Sequence, residues 1–284
     1  MTHTLSSAGA PAHSSRAGAA SRASLASRVA SLAYGTATYA LFLGTFLYVI
    51  GFVAGRFVPK HIDSGAAAPW KEALLVNGGF LALFAIQHTI MARPAFKKRW
   101  TKIVPEPMER SIFVLCASSI LLLLFWQWRP NRAVIWEIDQ PALEVLLIGV
   151  SLAGWAILFI SSFLIDHFDL FGLRQVTLYL RGRDYTPPRF VERSLYKKIR
   201  HPLMTGVLLG VWATPLMTLG HLVLAAGLTA YILVGVRFEE RDLIKAHGEA
   251  YEAYRQRTRK FFPIPGPRNL APVGAKKTEG QGTA

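Results

Sequence analysis

The chain has 284 residues, 52% of them hydrophobic and only 17% charged, with a net charge of +15 and a mean hydropathy of +0.30. A composition this apolar excludes an ordinary soluble domain and predicts a polytopic membrane protein. The basic excess does not mark a nucleic-acid binder, because no groove-reading motif accompanies it; basic runs beside apolar spans are what orientation against an anionic leaflet requires.

Residues 1–30 are rich in Ala, Ser and Gly, carry Arg16, Arg22 and Arg28 and contain no acid, so they are predicted to form a disordered basic tail. A membrane domain is expected over 31–263 and a second disordered tail over 264–284. About 20 apolar residues cross the hydrocarbon, and Ser31–Val53, Glu72–Met91, Ser111–Trp128 and Leu143–Ile165 each meet that length. Two further runs, Leu203–Met217 and Leu219–Phe238, are separated near Pro215 and read as a carboxyl-terminal helical hairpin. The fold class is therefore an all-α membrane bundle of five to six transmembrane segments.

Lys and Arg between the spans set the orientation. The loop over 92–110 holds six and the loop over 166–202 holds eight, whereas the loop after the third span has only Arg129 and Arg132. The rich loops and both termini are expected on the cytoplasmic side of a bacterial inner membrane. Cys116 is the only cysteine and sits in an apolar run, so it reads as core rather than nucleophile. No metal-site spacing, phosphate loop or nucleotide-binding glycine pattern is present, and no metal is expected.

What remains is a ring of polar residues around the cytoplasmic ends of spans four to six. Asp166, His167, Asp169, Arg174 and Gln175 follow span four; Tyr196, Arg200, His201 and Pro202 precede the hairpin; Arg237, Glu239 and Glu240 end it, with Tyr251 beyond. Neighbouring residues on a helix lie about 100° apart, so of Glu239 and Glu240 one should face a pocket and the other a cation or solvent. Each of these groups alone also fits a solvated helix end.

Together, Arg200-His201-Pro202, a hydrophobic hairpin, Glu239-Glu240-x-x-Leu243, Gly248, Tyr251, Tyr254 and Pro263 resemble the isoprenylcysteine carboxyl methyltransferase superfamily. Upstream, Gln87-His88 through Arg93-Pro94, Val104-Pro105-Glu106-Pro107, Trp126-Gln127-Trp128 and His167 through Gln175 look like the bacterial methanethiol S-methyltransferases, over about Tyr39 to Pro263. The resemblance implies S-adenosylmethionine as methyl donor, bound by Tyr196, Arg200, His201, Pro202, Glu239, Glu240 and Tyr251, and a small thiol acceptor near Gln87, His88, Arg174 and Gln175. His167 is the candidate base, made more basic by Asp166 and Asp169, and Arg237 would favour the thiolate. One departure is Leu203-Met204, where the superfamily often has a tyrosine; Tyr196 or Tyr231 then replaces its phenol. Another thiol, a prenylcysteine carboxylate or an isoprenoid acceptor, and a non-enzymatic NnrU-like accessory or transport role, are the alternatives. Oligomeric state is not legible in the sequence.

Overall fold

In the computed structural model, residues 23–187 and 192–263 are described. The first helix, α1, runs Leu25–Ala54, capped by the Ser24 side chain, which accepts from the Ser27 amide. It thus begins six residues before the expected Ser31; the remainder of both expected tails lies outside the described residues. α2 is Trp70–Ala92, followed after Arg93 by the short α3, Pro94–Trp100. α4 is Glu109–Gln127, and α5, with Pro at its first position, is Pro141–Ile165.

α6 (His167–Leu170) and α7 (Leu173–Leu180) follow, then α8 (Pro202–Trp212), α9 (Leu219–His247) and α10 (Glu249–Arg257). Two short strands, β1 (Val134–Glu137) and β2 (Leu216–Thr218), pair antiparallel. Among the described residues five helices are long and apolar enough to cross a membrane: α1, α2, α4 with the turn before it, α5 and α9. The chain is an integral membrane protein.

Successive crossings place the loops over 93–108, 166–187 and 192–201 at one rim, here the basic rim, and β1–β2 at the other. α8, expected to reach Met217, stops at Trp212. Pro215 has no amide hydrogen and disfavours helix at the residue before it, and residues 213–215, with the Thr214 amide donating to the Trp212 carbonyl, lead on to β2. Eleven residues rise only about 16 Å, roughly half the hydrocarbon thickness.

Going round the bundle, α5 packs on α8, α8 on α9, α9 on α2, α2 on α4 and α4 on α1. The α8–α9 hairpin is present, held by Trp212 Nε1 donating to Thr229 Oγ1 at 2.9 Å and His221 Nε2 donating to the Val211 carbonyl at 2.8 Å. The closest partner of α8, however, is α5. A Cβ at Gly154 would fall 2.6 Å from the Gly210 nitrogen, and one at Gly206 would fall 2.6 Å from the Gly154 oxygen. Small residues that let backbones touch are how helices associate in lipid, where burial of apolar side chains from water offers no drive.

Near the opposite rim the interior is filled by Phe52, Leu81, Leu124, Phe125, Trp128, Trp155, Val211 and Leu224. Asn77, buried in α2, exchanges two hydrogen bonds with the Arg129 backbone there. The basic rim has a smaller apolar cluster, Met91, Phe113 and Val114, and it is there that polar side chains gather.

Candidate functional site

α9 begins at Leu219, so about 20 residues of crossing end near Phe238, and Glu239 and Glu240 emerge at the basic rim. Glu240 Oε1 accepts from Arg200 Nε at 2.8 Å and from His201 Nε2 at 3.1 Å. Lys260 Nζ stands 3.6 Å from its other oxygen. The Arg200 and Glu240 side chains are each 9% exposed, a burial that charged groups tolerate only when paired and fully hydrogen-bonded. Arg200 meets that condition by donating also to the Arg255 and Thr258 carbonyls.

Glu239 points the other way. Its carboxylate is 49% exposed and 3.6 Å from His201 Nδ1. Pro202 opens α8 at its first position. Tyr196 donates to the Ser161 carbonyl and accepts at its own carbonyl from Tyr254; Tyr251 is buried against the Tyr254 ring. Burial, reinforced by the neighbouring carboxylates, pushes the Tyr196 and Tyr251 phenols up and the Tyr254 phenol up to about 12, so all three stay protonated. Every residue expected to hold the donor therefore lies in one cluster. Arg237 does not join it: it is exposed and makes no hydrogen bond or ion pair among the described residues.

The loop after α5 is arranged differently from expectation. Asp166 breaks α5 and caps α6, accepting from the Asp169 amide. Arg174 then lies 2.8 Å from Asp169 and 3.9 Å from Asp166. Tyr185 donates to the second Asp169 oxygen, and Gln175 to its carbonyl. Both acids are turned to Arg174 rather than to His167.

His167 is buried and stacked on Phe163 at 4.0 Å between ring centroids. The Ser162 hydroxyl donates to the Phe159 carbonyl at 2.6 Å, so its oxygen accepts from His167 Nδ1–H at 2.7 Å. That assigns the lone pair to Nε2, which accepts from the Tyr39 hydroxyl at 2.7 Å. Burial lowers the imidazole below its ordinary value and Asp166 only partly offsets this. The expected rise in basicity is thus replaced by a fall, and neither nitrogen is free.

Gln87 and His88 sit near the basic end of α2. Gln87 donates to Met91 Sδ at 3.1 Å, while its carbonyl oxygen is buried without a partner. The His88 ring is walled by Phe84 at 5.3 Å, Phe113 at 4.7 Å and Tyr231 at 5.9 Å, and its Nδ1 is buried without a partner. Tyr231 lies eight residues before Glu239 on α9, about 12 Å of rise, so α9 links this group to the Arg200–Glu240 cluster. Arg93, just past the end of α2, makes a second link, 2.7 Å from Asp242 and 4.9 Å above the Phe238 ring.

Sequence reasoning missed Tyr39, Arg93, Asp242 and Lys260, whose partners are distant in the chain. An apolar cleft of about 440 Å³ along α8, lined by Leu208, Leu209, Trp212, Ala213 and Phe262, carries no titratable group and offers polar ligands no recognition.

The family model described as NnrU protein matches residues 74–266. The chain is 53% identical over 230 residues, 81% of each chain, to methanethiol S-methyltransferase 1 of Bradyrhizobium diazoefficiens. It is 49% identical over 238 residues to methanethiol S-methyltransferase of Mycobacterium tuberculosis, covering 84% of this chain and 98% of that one. Nurim of Xenopus laevis is similar at 28% identity over 206 residues, 66% of this chain and 71% of that one. No solved structure matches. A membrane bundle with a polar cluster at one rim is the architecture of this chain, and it belongs to the NnrU protein family. Within that family it belongs with the methanethiol S-methyltransferases.

Proposed function

We propose that the protein transfers a methyl group from S-adenosylmethionine to methanethiol, releasing dimethyl sulfide, at the cytoplasmic face of a bacterial inner membrane. The observation that carries the reading is the Arg200–His201–Glu240 cluster with the half-exposed Glu239 beside it, in a chain about half identical to enzymes named for that reaction.

The residues fit the donor by their chemistry. A carboxylate suits an ammonium or ribose hydroxyls, and cations suit a carboxylate. Glu240 is committed to Arg200, His201 and Lys260, so the open carboxylate is that of Glu239, while Glu240 holds Arg200 and His201 in place. Tyr196 and Tyr251 brace that set, and exposed Arg237 adds positive charge at the rim. When bound, S-adenosylmethionine supplies an electrophilic methyl on a sulfonium. The protein's part is to align donor and acceptor and to keep water away, which is most of what a displacement of this kind needs. Gln87 and His88 supply the acceptor side, with Arg174 and Gln175 shaping the adjacent loop around Asp169. The basic loops at the same rim support the cytoplasmic orientation.

The test is expression in a host that makes no dimethyl sulfide, with methanethiol fed and the headspace sampled. Dimethyl sulfide is the expected product. A folded membrane protein that binds S-adenosylmethionine and yields none would point to another acceptor, and failure to bind it would favour an accessory role.

A further inference from the structure

We infer that His88, not His167, is the catalytic base that takes the proton from the thiol. This rests on the reading of the protein as a thiol methyltransferase. A base must present a lone pair toward the acceptor. Both nitrogens of His167 are occupied, by Ser162 and Tyr39. His88 makes no hydrogen bond among the described residues, and its Nδ1 is buried. A buried polar atom without a partner is costly, and a ligand that completes it removes the cost.

The surroundings suit a small apolar thiol. Phe84, Phe113 and Tyr231 wall the imidazole, giving soft contacts of the kind sulfur favours with rings. The charged and titratable groups around His88 are Tyr231 of α9, Arg110 of α4, whose guanidinium stands 4.7 Å from the Phe113 ring centroid, and the Arg93–Asp242 pair past the end of α2, with Glu239 about two turns further along α9. The buried Nδ1 without a partner offers the lone pair, and the Arg110 cation on the other side of this group favours a thiolate once formed.

The step balances within the known reactants. The thiol S–H bond breaks and an N–H bond forms on His88. The thiolate sulfur bonds the methyl carbon as the carbon–sulfonium bond breaks, giving a neutral sulfide and a neutral thioether. The proton on His88 then leaves to water.

The experiment compares His88→Gln with the parent in detergent. Glutamine keeps a polar side chain but accepts no proton. Turnover is expected to fall about a hundredfold or more, with S-adenosylmethionine affinity unchanged and with the deficit shrinking as pH rises toward the thiol's own pKa. In cofactor-free protein with isotopically labelled histidine, methanethiol should shift the ring-nitrogen signals that vanish in His88→Gln. Parent-like turnover in the variant, or no shift of those signals at saturating thiol, overturns the assignment. A parent that makes no dimethyl sulfide yet shows the shift retains the thiol site at His88 and overturns instead the proposed acceptor reaction.

Discussion

Arg200, in the bend before α8, and Glu240, forty residues later on α9, meet at 2.8 Å with both side chains nearly buried. The pair joins the start of α8 to the end of α9, and Glu239, its neighbour, remains open to ligand. The two carboxylates therefore differ in what their loss does. Glu240→Gln leaves Arg200 without its counter-charge, a loss of the order of 3–5 kcal/mol for a broken buried pair, and should lower both thermal stability and S-adenosylmethionine affinity. Glu239→Gln should weaken binding with little change in melting temperature. Calorimetric titration and thermal unfolding in detergent separate the two.

Acid should loosen the α1–α5–α6 contact. Burial lowers the pKa of His167, so the folded state binds its proton less readily than the unfolded chain. Stability contributed by the neutral ring is complete above the unfolded value of about 6.5 and falls as pH drops below it. Melting temperature measured from pH 8 downward should decline below that point, and the decline should be shallower in His167→Gln. An identical slope in the two proteins would exclude His167 as its source.

The glycine seam between α5 and α8 should tolerate no side chain. At Gly206 a methyl meets the Gly154 carbonyl and the Leu158 nitrogen at 2.6 Å, atoms that move only with the helices themselves. Gly206→Ala should cost about 1–3 kcal/mol and, because α8 starts directly after His201, also reduce S-adenosylmethionine affinity. Gly149→Ala on α5, where a Cβ meets nothing within 4 Å, should be neutral in both measurements.

Arg93 and Asp242 tie the end of α2, next to Gln87 and His88, to α9 just beyond Glu240. Their side chains are 27% and 37% exposed, so stability should change by about 1 kcal/mol or less on breaking the pair. Turnover is more sensitive, since small misplacements of reactants cost rate steeply. Arg93→Asp should reduce kcat by about tenfold, and the exchanged pair Arg93→Asp with Asp242→Arg should recover part of it in headspace assays. No recovery would mean that Arg93 acts through something other than Asp242.

The crossings were legible because hydrocarbon thickness imposes a length and a composition on every span. Arg200, His201, Glu239 and Glu240 were legible as a group because charge at the end of an apolar run is costly without a reason. The opposite faces of the two glutamates followed from helical geometry. The orientation of His167 was not legible. Its neighbours in sequence are acids, but Asp166 breaks the helix and turns the ring toward Tyr39, 128 residues away. Nor was the shortness of α8 or its choice of α5, since Gly206 and Gly210 display a four-residue spacing while nothing marks Gly154 as their partner.

The backbone amides of Arg200 and His201 donate to the carbonyls of Arg259 and Lys260, and Ile199 bridges Arg259. The segment that presents the Arg200 and His201 side chains is thus fastened by a stretch made about sixty residues later. During synthesis α8 and α9 must both be in the bilayer, and α10 released from the ribosome, before that fastening forms. Among the described residues the Arg200–Glu240 cluster is thus the last to be completed, and a chain stopped at Arg257 would carry all five long apolar helices and still lack it.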